Sequence, residues 1–160
     1  MKHLEIERKF LVRKEIWDGV EKAESKQIKQ GYLSRDEEAV IRIRIANDIG
    51  LLAIKGRREN ISRMEFEYTI PLEEARALHS LVAGNLVEKT RYKINHHGKS
   101  WDVDIFHGSN EGLYMAEIEL ESTEEEFDLP EWAGEEVSLD HRYYNAYLSE
   151  HPFTSWLENR

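Results

Sequence analysis

The chain contains no cysteine. That absence removes disulfides, thiolate catalysis and cysteine-ligated zinc or iron–sulfur sites, so any metal is held by oxygen or imidazole. Proline is nearly as scarce, present only as Pro71, Pro130 and Pro152, and no Pro/Gly/Ser-rich linker or fixed-period repeat divides the 160 residues. That length fits a single domain over residues 1–160. No apolar run approaches the roughly 18–20 residues of a membrane span, and the start Met1-Lys2-His3-Leu4-Glu5 lacks the apolar core of a signal peptide. The expectation is a cytoplasmic protein. Net positive charge is missing too, since 22 Lys+Arg stand against 32 Asp+Glu for a net charge of −10. This argues against broad nucleic-acid or anionic-membrane binding, both of which need a basic surface, and leaves room for a local basic pocket. A 40% hydrophobic fraction supplies a core despite 34% charge, so the chain folds.

What is abundant is alternation, the period-2 mark of strands. From His3 to Val12, the residues Leu4, Ile6, Phe10 and Val12 share one parity and Glu5, Glu7 and Lys9 the other. Ile41, Ile43 and Ile45 alternate with Arg42 and Arg44 in Val40–Ala46. The pattern recurs at Glu65–Ile70, Lys89–Ile94, Trp101–Phe106 and Ala116–Glu121. Lys26–Leu33 and Leu51–Lys55 fit less cleanly, the second following the turn-like Asn47-Asp48-Ile49-Gly50. About eight strands result, joined by short connections and so mainly antiparallel. Helices are expected at Arg13–Val20, at Leu72–Val82 (entered at Pro71) and at Leu139–Leu148. Two architectures compete: an open sheet with a solvated charged face, and a closed barrel whose charged face lines a lumen.

The charged parity carries almost only full charges, grouped by sign strand by strand. The acidic set is Glu5, Glu7, Glu65, Glu67, Asp102, Asp104, Glu117 and Glu119; the basic set is Lys9, Arg42, Arg44, Lys55, Lys89 and Arg91. Neighbours at i and i+2 on a strand stand roughly 6.7 Å apart, and like charges so placed repel unless something neutralises them. Opposite-charge strands on an ion-paired outer face do part of this; a bound cation and polyanion do it more completely. Carboxylate clusters suit a hard ion such as magnesium or manganese, and arginine pairs suit phosphate oxygens.

The segment Glu5-Ile6-Glu7-Arg8-Lys9 resembles the N-terminal ExExK signature of the CYTH, or triphosphate tunnel metalloenzyme, family. Matching elements follow in order: Gln30-Gly31-Tyr32-Leu33, Arg42-Ile43-Arg44, Ile54-Lys55-Gly56, Glu65-Phe66-Glu67-Tyr68, Lys89-Thr90-Arg91-Tyr92, Trp101 to Phe106, Ala116 to Glu121 and Asp140 to Asn145. The resemblance implies a mainly β fold, a closed eight-stranded antiparallel tunnel with a few exterior helices, that binds a triphosphate with Mg2+ or Mn2+. It implies metal-binding roles for Glu5, Glu7, Glu117 and Glu119, contributions to a second metal or its waters from Glu65, Glu67 and Asp104, and a phosphate grip by Lys9, Arg42, Arg44, Lys55, Lys89 and Arg91. Lys9, Glu65 and Glu67 are the candidates for direct participation in the reaction.

Hydrolysis of inorganic tripolyphosphate is the first functional expectation, because no inserted nucleoside-recognition element is evident. Thiamine or nucleoside triphosphate hydrolysis is second and adenylyl cyclisation third. A non-catalytic polyphosphate-binding module is the alternative from another class, and the full acidic set argues against it. The expected partner is a triphosphate-containing small molecule. His96-His97 reads as solvent-exposed and Glu124-Glu125-Glu126 as a solvated loop, while Tyr32 reads as packing. Leu78, Leu81 and Val82 read as the packed stripe of an exterior helix. Arg142 and Tyr143 are expected near one tunnel mouth, and Trp132, Trp156 and the last ten residues are expected to cover the barrel or meet a second copy in a homodimer.

Overall fold

Period-2 patterning becomes nine antiparallel strands in the computed structural model, which describes residues 3–22 and 24–156. Residues 1, 2, 23 and 157–160 lie outside the described residues, among them the last four of the C-terminal stretch singled out above. The strands are β1 (Leu4–Val12), β2 (Ser25–Asp36), β3 (Ala39–Ala46), β4 (Ile49–Lys55), β5 (Ser62–Ile70), β6 (Val87–His96), β7 (Lys99–Phe106), β8 (Tyr114–Glu119) and β9 (Ala133–Glu136). Their order is β5-β4-β3-β2-β6-β7-β8-β1-β9, with β5 also paired to β1. β1 closes the cylinder: Leu4, Glu5 and Ile6 pair with Met64, Arg63 and Ser62 of β5, and Glu7 to Leu11 pair with Glu119 to Met115 of β8. Eight strands therefore form a closed antiparallel barrel, as expected, and the open-sheet alternative falls. The ninth strand extends β1 beyond the cylinder, pairing Phe10 with Glu136 and Val12 with Ala133.

Closure inverts the usual arrangement, because the apolar parity faces outward and is buried there by covering segments. On one flank Trp101, with no exposure, meets Phe10, Phe127 and Trp132 at ring-centroid distances of 5.6 Å each. Trp17, at the end of α1 (Lys14–Trp17), joins this cluster. A second cluster holds Val87, Phe106, Met115, Leu148 and Trp156. Trp132 and Trp156 thus both cover the barrel. α2 (Leu72–His79) lies on the β3–β4 exterior, with acidic Glu73 and Glu74 in its first turn and Arg76 and His79 in its last, matching the helix dipole. It approaches so closely that a Cβ on Gly50 would stand 2.8 Å from the Ala75 Cβ and 2.9 Å from the Ile70 carbonyl oxygen.

Helix limits differ from the sequence expectations. α2 ends at His79, where the Ser80 hydroxyl donates to the Ala77 carbonyl and competes with the ladder; Leu81 is consequently 69% exposed and does not pack. The C-terminal helix is broken into a 3₁₀ turn, His141–Tyr143, and the single-turn α3 (Asn145–Leu148), because Tyr144 between them is extended at ψ 137°. The Tyr144 hydroxyl donates to the Ser138 carbonyl, and the Asp140 carboxylate accepts from the Arg142 amide. No helix among the described residues is long and apolar enough to cross a membrane.

Candidate active site in the barrel lumen

The charged parity lines a cavity of about 830 Å³ inside the barrel. Of the site residues expected from the sequence, Glu5, Glu7, Lys9, Arg42, Arg44, Lys55, Glu65, Glu67, Lys89, Arg91, Glu117 and Glu119 all lie on its wall. Strand order sorts them by sign. Neighbours β8, β1 and β5 carry the carboxylates together with Lys9, while β4, β3 and β6 carry Lys55, Arg42, Arg44, Lys89 and Arg91, with β2 between β3 and β6.

Ion pairs run within the acidic sector and between the two sectors. Lys9 Nζ lies 2.8 Å from Glu117 and 3.5 Å from Glu7. Lys55 Nζ lies 3.3 Å from Glu5 and 3.4 Å from Glu65, and Arg42 lies 3.1 Å from Glu67. Asp104 is the exception to the expected placement. It does not reach the cavity wall, because Arg91 engages both of its oxygens at 2.7 and 2.9 Å and Lys89 reaches it at 2.8 Å. It braces the cations from behind.

The electrostatics follow from crowding in a buried space. Burial, then repulsion from Glu117 and Glu5, raises Glu7, and burial with Glu5, Glu65 and Glu7 close by raises Glu119. Burial opposes ionisation of Glu117, yet Lys9 and Arg91 overcome it and hold this carboxyl well below the usual range. Among the cations, burial and the neighbouring Arg42 and Arg91 bring Arg44 down to about 9, and burial brings Lys89 to about 7 against the opposing pull of Asp104. Arg42, Arg58 and Arg63 each keep a buried Nε–H group with no hydrogen-bond acceptor among the described residues, the Arg63 Nε standing 3.8 Å from Glu5.

Arg58 and Arg63 were missed in the sequence. Extending the β5 alternation back by one step from Glu65 reaches Arg63, whereas Arg58 sits in a loop without periodicity, its guanidinium 4.3 Å from the Tyr144 ring centroid. Gln30, Tyr32 and Asn145 also line the cavity. Tyr32 was expected to pack; it is buried, but its hydroxyl accepts a 2.9 Å hydrogen bond from Gln30 within the lumen. Arg142 and Tyr143 do not line the mouth; Arg142 pairs with Asp140 and lies over the Tyr143 and Trp156 rings, while His141, Tyr144, Asn145 and Tyr147 take the lining positions. Of the histidine pair expected to be solvent-exposed, His97 is exposed and His96 is half-buried. His97 turns at φ 51° and stacks on His96 at 3.9 Å, with Asp128 on its Nδ1. In the loop Glu124-Glu125-Glu126, Glu125 pairs with Lys99 and accepts from the Glu121 amide.

The donor set fits a hard divalent cation. Glu5, Glu7 and Glu119 share the acidic sector, the last two raised by burial and then by their neighbours' charge, the second of which a divalent ion relieves. Among the described residues, no three carboxylates converge at coordinating distance; Glu5, Glu7, Glu65, Glu67 and Glu117 are instead drawn to lysines and arginines.

A closed barrel with segregated carboxylates and cations in its lumen defines a class, and sequence comparison agrees: the CYTH domain model matches residues 3–147. The chain belongs to this family, which implies dependence on a divalent metal ion. An inorganic triphosphatase of Acetivibrio thermocellus is 41% identical over 155 residues, covering 96% of this chain and 98% of its own. One of Nitrosomonas europaea is 34% identical over 149 residues, covering 91% and 96%. A solved inorganic triphosphatase structure matches with a TM-score of 0.64 at 31% identity, covering 90% of this chain and 96% of its own.

Proposed function

We propose that the protein is a metal-dependent inorganic triphosphatase, a single domain that hydrolyses a terminal phosphoanhydride bond of tripolyphosphate inside its barrel. The observation that carries this is the buried Nε–H of Arg42, Arg58 and Arg63, each without a hydrogen-bond acceptor among the described residues, on a cavity wall that also bears Arg44, Lys55 and Lys89. Buried donors without acceptors are costly, and a chain of phosphate oxygens satisfies them. Names carried by relatives at 41% and 34% identity agree with this substrate.

In this reading Arg42, Arg44, Lys55, Lys89 and Arg91 hold the phosphate chain and stabilise charge on the transferring phosphoryl group. Glu5, Glu7, Glu117 and Glu119 are the donors for Mg2+ or Mn2+, and Asp104 keeps Arg91 and Lys89 in place. A bound divalent ion supplies charge neutralisation and a more acidic water. Glu65 and Glu67 orient the attacking water for in-line approach to the terminal phosphorus and take up its proton. Lys9, fixed between Glu7 and Glu117, faces the phosphate oxygens as a charged donor; Glu117 and Glu7 hold its proton firmly against the effect of burial. No side-chain nucleophile is required.

The test is a panel of tripolyphosphate, thiamine triphosphate and ATP, each with magnesium and with manganese, scored for released phosphate and for cyclic AMP. Tripolyphosphate is expected to be turned over fastest. Cyclic AMP as the main product, or tight binding with no turnover of any triphosphate, would overturn the proposal.

A further inference from the structure

Gln30 is completely buried between cations of the basic sector. Its oxygen accepts from Arg44 Nε at 2.8 Å, and its Nε2 donates to the Tyr32 hydroxyl at 2.9 Å and to Asn145 Oδ1 at 3.3 Å. The same Asn145 oxygen accepts from Lys89 Nζ at 2.9 Å. Asn145 opens α3, so this contact ties the C-terminal segment to strands β2 and β6.

The chemistry of these partners differs from the rest of the lumen. Lys9, Arg42, Lys55 and Arg91 are all met by carboxylates. Among the described residues Arg44 is met by an amide oxygen alone, and Lys89 is shared between Asp104 and an amide. An amide oxygen accepts a hydrogen bond and fixes a donor's direction as a carboxylate does. Unlike a carboxylate, it leaves the cation's full charge to attract a polyanion. The hydrogen bond from Gln30 Nε2 also turns the Asn145 oxygen, rather than its NH2, towards Lys89.

We propose that Gln30 and Asn145 are positioning residues that aim Arg44 and Lys89 at the phosphate chain while leaving their charge unneutralised. This rests on the triphosphate reading of the site. The C-terminal segment is thereby part of the substrate grip: Asn145 holds Lys89 together with its bracing carboxylate Asp104. Asn145→Asp keeps an oxygen towards both Gln30 Nε2 and Lys89 and removes the attraction, whereas Gln30→Glu keeps the bond from Arg44 but sets an acceptor against Asn145 Oδ1.

The experiment measures tripolyphosphate binding to the metal-free full chain by titration calorimetry, at low and high salt. Wild type is compared with Asn145→Asp, Asn145→Ala and Gln30→Glu, with a thermal melt for each. Asn145→Asp and Gln30→Glu are expected to weaken binding by about tenfold at low salt, Asn145→Ala by about threefold. The carboxylate variants' loss narrows at high salt, because the lost interaction is screened, and the melting temperature of Asn145→Asp stays close to wild type. In the metal-loaded enzyme, KM rises more than kcat falls. A purely structural role predicts parallel loss of stability and binding without that salt dependence. Wild-type affinity in Asn145→Asp, or a loss no greater than in Asn145→Ala, overturns the proposal. A wild type that binds no tripolyphosphate here overturns this inference, and one that in addition turns over no triphosphate with magnesium or manganese overturns the triphosphate reading itself.

Discussion

Arg91 and Asp104 face each other across the β6–β7 ladder and form two parallel hydrogen bonds, Nε to Oδ1 at 2.7 Å and an NH2 group to Oδ2 at 2.9 Å. Asp104 is almost wholly buried, and Lys89 approaches it as well. Burial alone would raise this carboxyl, but Arg91 and Lys89 bring it down to about 2. Asp104→Asn leaves two buried cations short of their counter-charge, and a loss of about 3–5 kcal/mol is expected. Because the folded value is depressed, the stabilisation is present above the unfolded value of about 4 and is lost as pH falls through 2. Urea denaturation at pH 7, 4 and 2.5 should show the gap between wild type and variant closing with acid.

Metal removal is predicted to abolish turnover and to lower stability, with both restored by magnesium or manganese. A ligand that binds only the folded state at about 100 times its Kd adds about 2.7 kcal/mol. Glu119→Gln removes one donor and one of the crowded charges. The metal-induced rise in melting temperature is expected to shrink in this variant, while its metal-free melting temperature stays level or increases. A full metal-induced rise in Glu119→Gln would remove Glu119 from the donor set.

Arg8 on the exterior forms a bidentate pair with Glu136 at 2.7 and 2.8 Å, joining β9 to β1. Both side chains are about one-third exposed, so solvent screens the pair, and Arg8→Ala is expected to lose about 0.5–1 kcal/mol. The Arg8 hydrogen bond holds Glu136 below its ordinary value. That contribution is therefore present above about pH 4.3 and fades as pH falls through the folded value. Tripolyphosphate turnover should be unchanged, since Arg8 points away from the lumen; a large loss would show that β9 shapes the site.

Close approach of α2 makes Gly50→Ala destabilising by about 1–3 kcal/mol, since one clash is with backbone that has no side-chain freedom to yield. Gly56→Ala is the control. Its Cβ would meet nothing nearer than the Met64 Cβ at 3.8 Å, and its melting temperature should stay near wild type, within about 0.5 kcal/mol.

Strand alternation and charge grouping were legible in the linear chain because each depends on residues two apart. Lys9 and Glu7 were visible as one face of β1, and Arg42 and Arg44 as one face of β3. Arg58, Gln30 and Asn145 were not, because a loop arginine and lone amides acquire meaning only from what the fold places beside them. The C-terminal helix was overextended for a related reason: Tyr144 leaves helical geometry as its hydroxyl bonds to the Ser138 carbonyl.

By itself the sequence determined the strands, their two faces and the sign of charge each carries. Residues 3–147 were enough for the family. Only the tertiary structure decided that the charged face turns inward, since that depends on β1 pairing with β5 and β8 at once. It also decided which carboxylates reach the lumen and which brace it from behind. Asp104 and Glu117 look alike along the chain, yet one is enclosed by Arg91 and Lys89 while the other lies on the cavity wall. Strand periodicity assigns a side chain to a face; its depth and partners are set by neighbours that closure of the barrel brings from distant parts of the chain.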